Sequence, residues 1–194
     1  MIAVLLFSAN GFLAGSLMFS YWLGRLAGHD IRQQADGNPG AVNAFRAGGW
    51  KLGVPALVLD YAKGLLPVLP AALLFGRTDP RMIPIALAPV LGHAFSPFLR
   101  FRGGKGVAVT FGIWTGLTLW QAPAVLGLAL TLFKVVFRIR SDALSTLLGM
   151  VCLVGFIAIR QPSPVLLAIA LANTLITASR HWRELTCGSG TAQP

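Results

Sequence analysis

Six apolar runs, at residues 2–26, 52–75, 82–99, 107–137, 143–159 and 165–178, take up most of this chain and leave few ways to fold it. A run of about 20 apolar residues crosses a bilayer as a helix, because no water is present there and only a helix satisfies every backbone N–H and C=O within one segment. Of 194 residues, 55% are hydrophobic and 11% are charged, and the mean hydropathy is +0.71, which excludes a soluble globular domain. No repeat or polar linker divides the chain. The fold class read from this pattern is an all-α integral membrane protein, one polytopic domain over residues 1–194, with 187–194 as a flexible tail.

Positive charge sets the number of spans. Gln121-Ala122-Pro123 interrupts the fourth run, and its two flanks are basic, Arg100, Arg102 and Lys105 before it and Arg138 and Arg140 after it. One kinked span would put these clusters on opposite faces. Two short helices of about 14 residues, roughly 21 Å each, return both to one side. That choice predicts about seven transmembrane helices, two of them short. The first run carries no basic residue before Arg25, so it reads as a retained span rather than a secretory signal, with the N-terminus outside and the C-terminus cytoplasmic. Of sixteen Lys and Arg residues, twelve then fall on the inner face, three (Arg77, Arg81 and Arg160) fall outside, and Lys63 stays within the membrane. The formal net charge of +10 is thereby gathered where it can serve topology, anionic lipid or an anionic substrate. Nucleic acid is disfavoured as a partner, since no soluble domain or basic arm exists to carry it.

The candidate chemistry lies on that same face. In the stretch GHAFSPFLRFRGGKGVAVTFG, residues 92–112, Gly103, Gly104, Lys105 and Gly106 separate two apolar runs. Glycines let backbone N–H groups close on an anion, the lysine adds a point charge, and a helix starting at Val107 would aim its N-terminus at the same place. The alternative is a turn whose basic residues anchor a helix end. The spacing is not that of a Walker loop. Earlier in the chain, Asn38-Pro39-Gly40 is a turn signal, and Asn43 and Arg46 share a helix face if a helix begins after Gly40. Asp60 and Lys63 are three residues apart inside a span, so they are expected to pair and face the bundle interior, as a structural ion pair or as part of a site. Pro67 and Pro70 are expected to distort the same helix. His93 lies within the third span near the Gly-rich loop, and His181 at the inner end of the last one. Ser141 or Asp142 is expected to cap the helix between them, and His29 to lie on the surface. Cys152, Cys187 and the histidines show no metal-ligand spacing, and no Gly-x-Ser-x-Gly elbow is present, so neither a metal nor a serine nucleophile is expected.

In combination and order, these segments resemble the bacterial integral-membrane acyl-phosphate:glycerol-3-phosphate acyltransferase family, PlsY. Residues 15–32, GSLMFSYWLGRLAGHDIR, are similar to the family's opening, and DGNPGAVNAFRAGG, residues 36–49, to its first motif. LDYAKGLLPV is similar to its Asp-x-x-Lys-Gly segment, GHAFSPFLRFRGGKGVAVTFG to its second motif and SRHWREL to its third. The resemblance implies a seven-helix enzyme of the bacterial cytoplasmic membrane that moves a fatty acyl group from acyl-phosphate to the 1-hydroxyl of glycerol 3-phosphate, giving lysophosphatidic acid. Its partners would be these two substrates and membrane lipid, with acyl-phosphate as co-substrate and no cofactor. By position, Asn43, Arg46, Lys105 and His181 would be the catalytic set. Asn38, Gly40, His93, Gly103, Gly104, Gly106 and Ser141 would be substrate-binding. The glycines and Lys105 would hold phosphate, Arg46 would fork onto phosphate oxygens, and Asn43 and His181 would orient the glycerol. Acyl-phosphate is already activated, so alignment of hydroxyl and carbonyl with a phosphate as base suffices for the chemistry.

The chain departs from the family pattern at Ala35 and Asp36, at Val42, at Glu184 and Cys187, and in its ending, Gly188-Ser189-Gly190-Thr191. Asp36 sets a negative charge beside the expected phosphate and should weaken anion affinity. The alternatives are a paralogue with changed activity, or a non-enzymatic carrier or lipid-handling protein that uses Asp60, Lys63 and His93 as a pathway.

Overall fold

The structure, a computed structural model, describes residues 1–187; of the tail expected at 187–194, all beyond Cys187 lies outside the described residues. Every regular element among the described residues is helical. The α-helices in chain order are α1 (Ile2–Ser16), α2 (Phe19–Leu26), α3 (Ala41–Phe75), α4 (Met82–Ala94), α5 (Val107–Thr118), α6 (Gln121–Thr131), α7 (Asp142–Arg160) and α8 (Pro164–Cys187), with short 3-10 turns at Ile31–Gln33 and Pro97–Leu99 and a π-helical turn, Leu132–Val136, extending α6. Ile2–Leu26, Ala41–Phe75, Met82–Leu99 and Asp142–Arg160 are each long and apolar enough to cross a membrane. Val107–Thr118 and Gln121–Val136 are shorter. The fourth apolar run is thus two short helices, as its charge pattern requires. Leu119 takes a positive φ of 56° to turn the chain, and the Thr118 hydroxyl accepts from the Ala122 N–H at 3.2 Å in the first turn of α6.

The first run, read as one span, is broken at Leu17-Met18 between α1 and α2. A break in hydrocarbon frees carbonyls that must find donors. Ser96 Oγ donates to the Ser16 carbonyl at 2.7 Å, and Lys63 Nζ donates to the Leu17 carbonyl at 2.5 Å. Lys63 also pairs with Asp60 at 2.8 Å, both side chains only 2% exposed, and Ser20 Oγ donates to Asp60 at 2.5 Å. The expected intramembrane ion pair therefore faces the interior and splints the break. On its own, a buried pair earns little net stability; here Lys63 also satisfies the Leu17 carbonyl freed by the break.

α3 carries the other irregularity. Gly48 and Gly49 leave helical geometry, Gly49 at φ 62° and ψ −155°, so a short first segment containing Asn43 and Arg46 is set at an angle to the span that follows. The helical backbone continues through Pro67 and Pro70 instead of breaking there. Beyond the kink α3 lies along α5. A Cβ on Gly64 would overlap the Val109 carbonyl, and one on Gly112 the Tyr61 carbonyl, so the two backbones meet with no side chain between them. Trp114, Ile113, Met82, Leu153 and Ile169 fill the core, while Leu5, Leu66, Val151 and Leu175 point outward, as lipid-facing residues do.

Candidate active site

The site is assembled from four segments that meet at one end of the bundle. Asn43, in the first turn of α3 and 1% exposed, turns its amide back on the preceding loop. Its Nδ2 donates to the Gln34 carbonyl (3.0 Å), to Asp36 Oδ1 (2.9 Å) and to the Asn38 carbonyl (2.9 Å), and its Oδ1 accepts from Arg46 Nη1 (3.0 Å). Asn43 therefore builds the loop and holds one edge of Arg46. Gly40 is the residue at which α3 starts, and the space beside it is taken by the Asn38 amide. Asn38 Oδ1 in turn accepts the Lys105 N–H at 3.2 Å, joining the first loop to the Gly-rich one.

The glycines before Lys105 are required by packing. A Cβ on Gly103 would overlap the His93 carbonyl, and one on Gly104 would overlap the His93 ring. The loop lies flat on α4, with the Gly104 N–H donating to the His93 carbonyl at 3.0 Å and Arg180 Nη2 donating to the Gly103 carbonyl at 2.9 Å. His93 supports the loop from behind. The Gly104 and Lys105 amides, expected to face an anion, are already bonded within the protein, and the visible anion-directed group is the lysine side chain. Gly106 turns the chain into α5 with φ 80°.

Two carboxylates hold that lysine. Lys105 Nζ lies 2.7 Å from Asp36 Oδ2 and 2.6 Å from Glu184 Oε2. The other Glu184 oxygen accepts from the Ala143 N–H (2.9 Å) at the start of α7 and from Ser141 Oγ (3.4 Å), whose oxygen caps α7 by accepting the Leu144 N–H at 3.1 Å. Asp142 pairs with Lys134 and stands 3.8 Å from Arg46 Nη2. Burial alone would lower the Lys105 pKa, but its bonds to Asp36 and Glu184 raise it, so it stays a cation. Burial likewise acts against both carboxylates, and the Lys105 ammonium overrides it, holding Asp36 below the usual range and Glu184 down to about 2. His181 and Glu184 lie on α8 beyond the apolar run at 165–178. Burial first, then the nearby Lys105 charge, lower the His181 pKa to about 4, so the ring is neutral at pH 7. Its Nδ1 lies 3.5 Å from Glu184 Oε2, and among the described residues neither ring nitrogen has a hydrogen-bond partner.

These groups surround a cavity of about 440 Å³. Asn38, Gly40, Asn43, Arg46, His93, Lys105, Gly106 and His181, all predicted from sequence, line it. Gly103 and Gly104 lie behind Lys105, and Ser141 reaches the site through Glu184. Leu57, Val107, Phe111 and Leu130 give the same cavity apolar lining. Sequence reasoning missed Asp142, Lys134 and Glu184 as partners in the site. Glu184 had a signal, since a residue three beyond His181 on a helix shares its face.

An arrangement with three cations, a neutral imidazole and apolar side chains lining one cavity suits a molecule with an anionic head and a hydrocarbon tail. Comparison with known proteins agrees. The sequence profile described as "Glycerol-3-phosphate acyltransferase" matches residues 5–186. The chain is 39% identical over 188 residues to glycerol-3-phosphate acyltransferase 1 of Thermotoga maritima, covering 90% of this chain and 92% of that one. It is 42% identical over 181 residues to the glycerol-3-phosphate acyltransferase of an Anaeromyxobacter species, covering 89% and 87%. Among solved structures, it is similar to the glycerol 3-phosphate form of PlsY, an integral membrane glycerol 3-phosphate acyltransferase, with a TM-score of 0.88, 28% identity and coverage of 99% and 96%. The lysophosphatidic acid form of PlsY gives a TM-score of 0.87 at 28% identity, with coverage of 96% and 93%. A helical membrane bundle whose polar motifs converge on one lysine-centred cavity, matched along nearly its whole length, belongs to the glycerol-3-phosphate acyltransferase family.

Proposed function

We propose that this protein transfers a fatty acyl group from acyl-phosphate to the 1-hydroxyl of glycerol 3-phosphate, within the membrane, to give lysophosphatidic acid. The observation that carries this reading is the convergence of Arg46, Lys105 and His181 on one cavity that is also lined by Leu57, Val107, Phe111 and Leu130. The relatives named for this activity, and a structural neighbour described in glycerol 3-phosphate and lysophosphatidic acid forms, support it. Arg46 offers a planar fork and Lys105 a point charge to the acceptor phosphate. His181, neutral and buried, hydrogen-bonds the glycerol hydroxyls. Leu57, Phe111 and Leu130 take the first part of the acyl chain.

No covalent enzyme intermediate is needed. The acceptor oxygen bonds to the acyl carbon, the carbon–oxygen bond to the donor phosphate breaks, and the hydroxyl proton passes to the departing phosphate. The donor is already activated, so the protein's task is alignment and exclusion of water, and no cofactor takes part. The test is purified protein in lipid with acyl-phosphate and labelled glycerol 3-phosphate. Labelled lysophosphatidic acid is the expected product. Solute flux across proteoliposomes with no product would overturn the reading in favour of a carrier.

A further inference from the structure

We propose that Asp36 and Glu184 make the acceptor site select the singly protonated phosphate, the monoanion, over the dianion. This rests on the acyltransferase reading for the identity of the acceptor. Each cation facing the cavity already has an acidic partner: Lys105 has two, and Arg46 and Lys134 share Asp142. A phosphate that approaches Lys105 therefore meets two carboxylates beside one ammonium.

Neither carboxylate is free to swing away. Asp36 Oδ1 is held by Asn43 Nδ2 at 2.9 Å and by the Asn38 N–H at 3.2 Å, and Glu184 Oε1 by the Ala143 N–H at 2.9 Å. Among the described residues, the opposite oxygens contact Lys105 (Asp36 Oδ2 and Glu184 Oε2) and the His181 ring (Glu184 Oε2). Lys105 Nζ has three N–H donors, two of them on these oxygens, so a phosphate that takes the third comes up against both carboxylates. A dianion offers them nothing but repulsion. A monoanion carries one charge fewer and a P–OH group, which donates to one of these oxygens. Arg46, from α3, supplies the remaining charge without change in either case.

A phosphate monoester loses its second proton at about pH 6. If only the monoanion binds, the competent fraction falls tenfold per unit above that value, and apparent affinity falls with it. Each binding event at higher pH must also take one proton from solvent. Asp60, His93, Asp142 and His181 also line the cavity, and of these His181 stands against Glu184, so the test separates it from the carboxylates.

The experiment is titration calorimetry of glycerol 3-phosphate into the purified full-length protein, in buffers of different ionisation enthalpy, from about one unit below to about two units above the phosphate pKa of ~6. Expected for the unaltered protein is uptake rising from near zero to about one proton per bound acceptor, with affinity falling about tenfold per unit. Asp36→Asn with Glu184→Gln should bind more tightly at high pH and take up no proton. His181→Gln, even if it binds more weakly, should keep the uptake. Binding without proton uptake, uptake lost in His181→Gln, uptake retained in the double variant, or no binding at any pH would each overturn the proposal. Binding with proton uptake but no acyl transfer would leave it standing and overturn the function proposed above.

Discussion

At the scale of single residues, Lys105 and Arg46 are expected to act on one phosphate from two segments. Lys105→Ala should weaken acceptor binding by roughly 1.5 to 3 kcal/mol, the range for a lost charged hydrogen bond. It should also leave Asp36 and Glu184 facing one another without the ammonium that now separates them. Arg46→Lys keeps the charge but loses the planar fork, and activity should fall with it. Because the two groups would share a ligand, their effects on acceptor dependence should not add; strict additivity in a double-mutant cycle would mean separate targets. His181 gives a pH-dependent expectation of its own. Its folded pKa is depressed to about 4 from an ordinary 6.5, so between these values the unfolded chain binds more protons than the folded one. The stability it contributes is present above pH 6.5 and is lost as pH falls toward 4. Glu184, depressed from 4.5 to about 2, loses its contribution in a lower window, as pH falls from 4.5 toward 2. Thermal unfolding of His181→Gln should therefore show less loss in the upper window than the unaltered protein. An unchanged profile there would show that the imidazole titrates alike in both states.

At the scale of elements, the contact between α3 and α5 decides whether the Gly-rich loop is held over the cavity, because α5 begins at its last glycine. Gly112→Ala would drive a methyl into the Tyr61 carbonyl, and the helices would have to part. A loss of roughly 1 to 3 kcal/mol is expected from such overpacking, read as an earlier thermal transition in detergent. Gly155→Ala, on α7 with open space around it, is the matched control and should change little. Much of this architecture was legible beforehand. Hydropathy located the spans, and the need to keep Arg100, Arg102, Arg138 and Arg140 together split the fourth run correctly. The break at Leu17-Met18 was not legible. Its cause lies in partners at Ser96 and Lys63, dozens of residues away, and local sequence carries no trace of them. Pro67 and Pro70, expected to distort α3, lie within continuous helix, as membrane helices tolerate prolines. In the site, residue identity was legible and pairing was not. Asp36 reads in sequence as a charge set against phosphate, and only the fold reveals that it shares Lys105 with Glu184.

At the scale of the whole molecule, the fold sorts charge by end. The loop around Asn38, the Gly-rich loop, the start of α7 and the end of α8 meet at the site and carry Arg46, Lys105, Lys134 and Arg180 there. The opposite end holds Arg77, Arg81 and Arg160. There Arg81 is bonded to Asp79 at 2.8 Å, and Gln161 bonds to Gln121 across the ends of α7 and α6. Positive charge retained on the cytoplasmic side would place the site end inside, where phosphorylated metabolites are found, and the turn at residues 76–81 outside. The expectation is tested with single cysteines in a chain whose Cys152 and Cys187 are replaced by serine. Thr78→Cys, in the exposed turn between α3 and α4, should react with an impermeant maleimide on intact spheroplasts. Arg140→Cys, exposed before α7, should react only after the membrane is opened. The reverse pattern would put the acceptor site on the outer face, and a cytoplasmic supply of glycerol 3-phosphate could not reach it.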